Sequence, residues 1–334
     1  MRAFAVFMMI QGHTVSSLLN KDYVSSGFFF YDIWFAFRAF TAPLFIFVAG
    51  FIFTFLLYKN TSSLKANARV QKGIRRGISL IIMGYLLRYP TINIFNLSSV
   101  TFEQWKTFFA FDALHLIGTG ILLILFFSFL SELLKINPLY MFILLFLSLF
   151  SLSPLITSID FSNAKNVFFV SMISSKYNSL FPLFPYLQYV FLGAVLGKII
   201  TDNNEILNRR KFLLLIAVVG IALLLFPLIF SPVNRQSFFG VGVVLICFSV
   251  FGLIGRNIST LPKVVKSFAE NSLWIYITHL VIIYGSPFSI GLFQIIGRKL
   301  NVWITLLSVM AMIILMILIS LRIDKFKRRK LNYL

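Results

Sequence analysis

The chain has 334 residues, 59% of them hydrophobic and only 12% charged, with 41 Phe and a mean hydropathy of +0.92. A soluble fold of this length cannot bury so much apolar surface, so lipid must act as solvent for the outer faces of its helices. The formal net charge of +20 would suggest nucleic acid in a soluble protein, but the cations flank apolar runs, and no basic stripe carries stacking aromatics on a soluble domain.

Taken in chain order, the apolar runs predict about ten transmembrane helices, at roughly 20 residues per crossing. They are Ala3–Leu19, Thr41–Leu57, Gly77–Leu87, Leu114–Leu134, Pro138–Ile156, Pro185–Ile200, Phe212–Phe230, Phe238–Gly255, Ser272–Tyr284 and Val302–Leu321. The third and ninth are short and are expected to extend by a few residues. The runs are too long, and alternate too little, for a transmembrane barrel. The first has no small-residue cleavage site and fits a retained span rather than a signal peptide. The fold class is therefore all-α, a polytopic helical bundle forming a single membrane domain over residues 1–334.

Orientation follows from the basic residues. With the N-terminus inside, 21 of the 30 Lys and Arg fall in inside segments and 9 outside, and both termini are cytoplasmic. Three outside loops are expected to be long, at about Asn20–Phe40, Tyr89–Ala113 and Thr157–Phe184. The only cysteine, Cys247, lies in an apolar run, so the chain offers neither an internal disulfide nor a Cys cluster for zinc, and no metal is expected.

Ionisable groups inside a membrane cost several kcal/mol unless paired or hydrated, so they mark candidate sites. All three histidines fall in or beside a span. His13 lies in the first, His115 at the outer start of the fourth and His279 near the middle of the ninth. In the orientation above all three sit between the midplane and the outer face, and a shared cavity is a hypothesis. Histidine can take a proton near neutral pH, so one at the end of a wet cavity could deprotonate a hydroxyl or amine for attack on a thioester, or carry the acyl group itself. The bland alternative is a hydrogen bond to a neighbouring helix.

Asp112, three residues before His115, could orient that ring or simply cap the helix. Asp32 and Glu103 are other outside carboxylates. Arg38, just before the second span, could bind a carboxylate or a substrate anion, or snorkel to the interface. The inside loop Lys59–Arg76 carries six cations in eighteen residues. Among them Lys72, Arg75 and Arg76 could attract the phosphates of coenzyme A, although orientation and anionic lipid alone would explain the loop. There is no Walker or Rossmann glycine motif to support nucleotide-driven transport.

Five segments in order resemble the transmembrane acyltransferase superfamily. Arg2 and His13, with ten residues between them, resemble the first-helix signature of acyltransferase-3-type membrane enzymes. Thr41-Ala-Pro-Leu-Phe-Ile-Phe-Val-Ala-Gly50, Phe111-Asp-Ala-Leu-His-Leu-Ile-Gly118 and Phe181-Pro-Leu-Phe-Pro-Tyr-Leu-Gln-Tyr-Val-Phe-Leu-Gly193 are similar to the heparan-α-glucosaminide N-acetyltransferase-like branch. Asn271-Ser-Leu-Trp-Ile-Tyr-Ile-Thr-His279 is similar to a late helix found across the superfamily.

The resemblance implies transfer of an acyl group, most simply acetyl, from cytosolic acyl-CoA to a glycan or other carbohydrate at or across the outer face of a bacterial inner membrane. It implies His13 as the catalytic residue and Arg2 as its first-helix companion. Arg38, Asp112, His115 and His279 would orient His13 or bind the acceptor. The rivals are a transporter or flippase of a lipid-linked sugar, with Pro43 and Pro227 as helix breaks, and a non-catalytic sensor or assembly subunit.

Overall fold

A computed structural model describes residues 1–25, 27, 29–59, 63–91, 97–161, 164, 166–230, 232–258 and 260–331. Parts of the long loops expected around 20–40, 89–113 and 157–184 lie outside the described residues.

Every apolar run of the sequence is helical. The main helices are α1 (Arg2–Leu18), α2 (Phe29–Ala39), α3 (Thr41–Tyr58), α4 (Ala68–Leu87), α5 (Ala113–Leu133), α6 (Pro138–Thr157), α7 (Leu183–Asp202), α8 (Arg210–Phe230), α9 (Arg235–Arg256), α10 (Lys263–Glu270), α11 (Ser272–Tyr284) and α12 (Val302–Leu331). Among the described residues, seven helical segments are long and apolar enough to cross a membrane, and α11 is a shorter apolar helix. The chain is an all-α polytopic membrane protein. The apolar windows of α6 and α8 are only 11% and 17% buried, which leaves most of their surface to lipid.

Three expectations are corrected. The stretch Asn20–Phe40 is not a loop: α2 occupies Phe29–Ala39, a single turn residue separates it from α3, and Tyr31–Tyr58 forms one apolar segment of 28 residues. Its aromatic residues suit a helix, and no Gly or Pro interrupts residues 29–42. The third span extends by nine residues rather than a few, starting at Ala68, where the Asn67 side chain accepts from the Arg69 amide. The ninth does not extend at all. Gly285 adopts φ +84°, which ends α11 at Tyr284, and Asn271 separates it from α10.

Nor do the two prolines break helices midway. Pro43 sits in the first turn of α3, where no amide donor is missed, and Pro227 lies near the end of α8. Short helices also interrupt the other long loops, at Phe102–Phe109 and Val167–Ile173.

The chain divides into two compact units, Met1–Phe45 with Asn257–Leu334, and Ile46–Arg256. In the first, α1 packs on α11 and α12. The buried Asn271 ties the α10–α11 junction to α12: its amide donates to Asp324 Oδ1 at 2.7 Å, and its Oδ1 accepts from Lys327 Nζ at 2.6 Å.

In the second unit, close helix contacts are made at glycines. A Cβ on Gly193 would lie 2.3 Å from the Phe47 carbonyl oxygen, and one on Gly50 would lie 2.2 Å from that of Val190. Gly220 and Gly242 approach each other's backbone between α8 and α9 in the same way. Without a hydrophobic force between helices in lipid, such backbone proximity is what holds them together.

Candidate active site

The middle of α1 carries Gln11-Gly12-His13, and three helices of the first unit converge there. His13 is half-buried, and its Nδ1 lies 3.0 Å from the Tyr284 hydroxyl at the end of α11. The two rings meet edge-on at 5.6 Å. His279, one turn and a half before Tyr284, is fully buried, with its ring centroid 5.4 Å from that of His13. The structure thus brings together two of the three histidines.

The hydrogen bonds assign the His279 tautomer. Its Nδ1 lies 2.8 Å from the Ile275 carbonyl oxygen, which can only accept, so Nδ1 carries the proton. The lone pair is then on Nε2, which is buried and has no hydrogen-bond partner. A buried polar atom left unpaired costs roughly 1–3 kcal/mol, so this one is an acceptor waiting for a donor.

Arg38 reaches the same place from α2. Its side chain lies across Gly12, where an added Cβ would come within 3.2 Å of Nε. It stacks 5.7 Å above the Trp34 ring, and Trp34 Nε1 donates to Gln11 Oε1 at 2.6 Å. The guanidinium is within Coulombic range of Tyr284. Among the described residues no carboxylate pairs with Arg38. Asp32 is exposed on the same helix.

Arg2 opens α1 and has interactions of its own. His13 is eleven positions further on, about 16 Å along a helix axis, so the two are not neighbours on one turn.

Asp112 and His115 belong to the second unit. Asp112 caps α5 with Oδ1 accepting from the Ala113 amide at 2.7 Å, and His115 Nδ1 accepts from the Asp112 amide at 3.1 Å. Arg88 pairs with the other Asp112 oxygen at 3.2 Å. The fully buried His115 ring lies against Gly84, and its Nε2, which carries the proton in this tautomer, has no partner. This is a reciprocal helix cap, the plainer of the two readings of Asp112. Glu103 pairs with Lys106 at 2.5 Å.

Arg88→Met should therefore lower stability by about 1–3 kcal/mol, as one charged partner of the cap is lost. It should leave turnover per folded molecule unchanged. Thermal unfolding and activity of the purified protein would check both.

Lys72, Arg75 and Arg76 are exposed on α4 at helical spacing, while Gly73 and Gly77 pack inward on Phe53 and Leu122. None of the three makes a salt bridge among the described residues.

The heparan-alpha-glucosaminide N-acetyltransferase catalytic family matches residues 1–232. The chain belongs to that family. No curated protein and no solved structure gives a significant match. Membership makes the chain a membrane acetyltransferase. The match takes in α1 and α2, with His13 and Arg38. Tyr284 and His279 lie beyond it, so their approach to His13 is a property of the fold alone.

Tyr284 was missed by sequence reasoning, since a tyrosine at the end of an apolar run reads as an interfacial anchor. Gly12 was missed as well. Its value lies in the space it leaves for Arg38, which no local pattern announces.

Proposed function

We propose that this chain transfers an acetyl group from cytosolic acetyl-CoA, or another acyl-CoA, to a carbohydrate acceptor at or across the outer face of a bacterial inner membrane. Both termini are then cytoplasmic. The observation that carries the reading is the half-buried His13 imidazole held by Tyr284 beside the unpaired Nε2 of His279.

In this reading His13 is the general base. With Nδ1–H donating to the Tyr284 oxygen, Nε2 holds the lone pair that takes the acceptor's proton. The acceptor oxygen or nitrogen attacks the thioester carbonyl and forms the new acyl bond. The carbon–sulfur bond breaks, and the proton passes to the departing thiolate. His279 Nε2 accepts a hydrogen bond from a substrate hydroxyl or amine and fixes its direction.

Arg38, unpaired by any described carboxylate, stabilises the oxyanion of the tetrahedral intermediate. Lys72, Arg75 and Arg76 attract the donor's phosphates from the cytosolic side. Asp112 and His115 hold the start of α5, and Arg2 anchors the start of α1.

Proteoliposomes supplied with radioactive acetyl-CoA and a mixed glycan acceptor test the reading. Label is expected in the glycan, with release of free coenzyme A. Movement of sugar across the membrane without donor turnover would favour the transporter instead.

A further inference from the structure

The first half of the segment Tyr31–Tyr58 turns one face toward α1 and α11. Trp34, Arg38, Thr41 and Phe45 follow one another at spacings of four, three and four, which is the spacing of a single helix face. Three of the four have fixed neighbours. Trp34 donates to Gln11 of α1, and Arg38 lies across Gly12 of α1. The Phe45 ring stacks on that of Tyr276 in α11 at 5.9 Å, and the Tyr276 ring is 5.7 Å from that of His279. Thr41 stands between Arg38 and Phe45, about one turn from each.

Thr41 is 8% exposed, and among the described residues its Oγ1 has no hydrogen-bond partner. Other helical hydroxyls of this chain bond the carbonyl one turn back, as Thr14 does to Ile10, Ser128 to Ile124 and Thr305 to Asn301. Thr41 directly follows the turn residue Phe40 and makes no such bond. A buried hydroxyl without a partner is costly, and valine would fill nearly the same volume without that cost.

Arg38, three residues earlier on the same face, can only donate. Two donors side by side address an atom that accepts twice. In acetyl transfer that atom is the thioester oxygen, which gains a negative charge when the carbonyl is attacked.

We infer that Thr41 is a catalytic residue that donates its hydroxyl hydrogen, together with an Arg38 N–H, to the thioester oxygen of the acyl donor as it becomes an oxyanion. The inference rests on the proposed acetyl transfer. The acceptor's lone pair attacks the thioester carbonyl carbon, and the carbonyl π pair moves onto the oxygen. Thr41 and Arg38 hold that oxygen by hydrogen bonds and keep their protons. When the pair returns, the carbon–sulfur bond breaks, its electrons leave with sulfur, and His13 passes the acceptor's proton to the thiolate. Donors matched to a charge that develops only in the transition state speed the chemical step without tightening donor binding.

The test compares Thr41→Val, which removes the hydroxyl, with Thr41→Ser, which keeps it. Both are measured as full-length protein in proteoliposomes with radioactive acetyl-CoA and the mixed glycan acceptor. In Thr41→Val, kcat should fall about 100- to 1,000-fold, as for loss of one oxyanion donor, while KM for acetyl-CoA stays within about threefold. Thr41→Ser should keep at least about a tenth of the wild-type kcat. Thr41→Val should melt at or above the wild-type temperature, because it removes an unpartnered hydroxyl from the interior. A wild-type kcat in Thr41→Val, a loss confined to KM, or melting well below the wild type would overturn the inference. If the wild type transfers acetyl and Thr41→Val transfers it equally well, this inference alone falls. If the wild type transfers none, the enzymatic reading falls and takes this inference with it.

Discussion

His13→Ala is expected to lower acetyl transfer by about 100- to 10,000-fold, the usual worth of a positioned general base. The variant should be expressed, inserted and melt like the wild type. His13 is half-buried, and α1 is held elsewhere by fully buried Ala5, Val6, Ile10 and Leu18. Removing the imidazole leaves the Tyr284 hydroxyl without that partner, while the apolar residues that seat α1 are untouched. Tyr284→Phe keeps the ring and removes only the hydroxyl. Its effect should be smaller, since His13 remains and loses only the bond that orients it. Initial rates with radioactive acetyl-CoA, normalised to folded protein, would check the order wild type, Tyr284→Phe, His13→Ala. Equal activity of His13→Ala and wild type would remove His13 from the chemistry.

The second large effect concerns folding. Gly193→Leu should abolish accumulation of folded protein. Even a bare Cβ at this position would lie 2.3 Å from the Phe47 carbonyl oxygen and 2.6 Å from the Phe51 amide nitrogen. Both are backbone atoms in a helix, so neither can swing aside as a side-chain tip could. Gly197, one turn on, approaches the Phe51 carbonyl in the same way, and the seam cannot slide to make room. Overpacking a core costs roughly 1–3 kcal/mol where side chains can adjust, and here they cannot. Size-exclusion profiles in mild detergent would check this. A Gly193→Leu protein that elutes and melts like the wild type would show that the helices are further apart than described.

Most of the helical plan was legible because lipid imposes one rule on every span: a long apolar run must satisfy its own backbone. Segment 29–39 escaped because Asp32 and Arg38 made it look like a loop, whereas both sit on a helix otherwise dominated by aromatic residues. The end of α11 at Tyr284 was signalled by Gly285 and Pro287, and the expectation that this span would extend overlooked that stop.

The site was legible in parts. Histidines within spans stand out by cost alone, and that singled out His13 and His279. What the sequence could not say was which histidines meet. His115 looked as interesting as the others, yet its Nδ1 is committed to the Asp112 amide in a helix cap. Tyr284 and Gly12 matter only through residues far from them in the chain, Tyr284 through His13 and Gly12 through Arg38.

Mass-spectrometric footprinting with a histidine-acylating reagent tests the central claim most directly. His13 should be modified fastest, and acetyl-CoA should protect it, while the fully buried His115 and His279 stay unmodified in folded protein. A His13 that resists the reagent, or reacts equally fast with and without acetyl-CoA, would contradict the account.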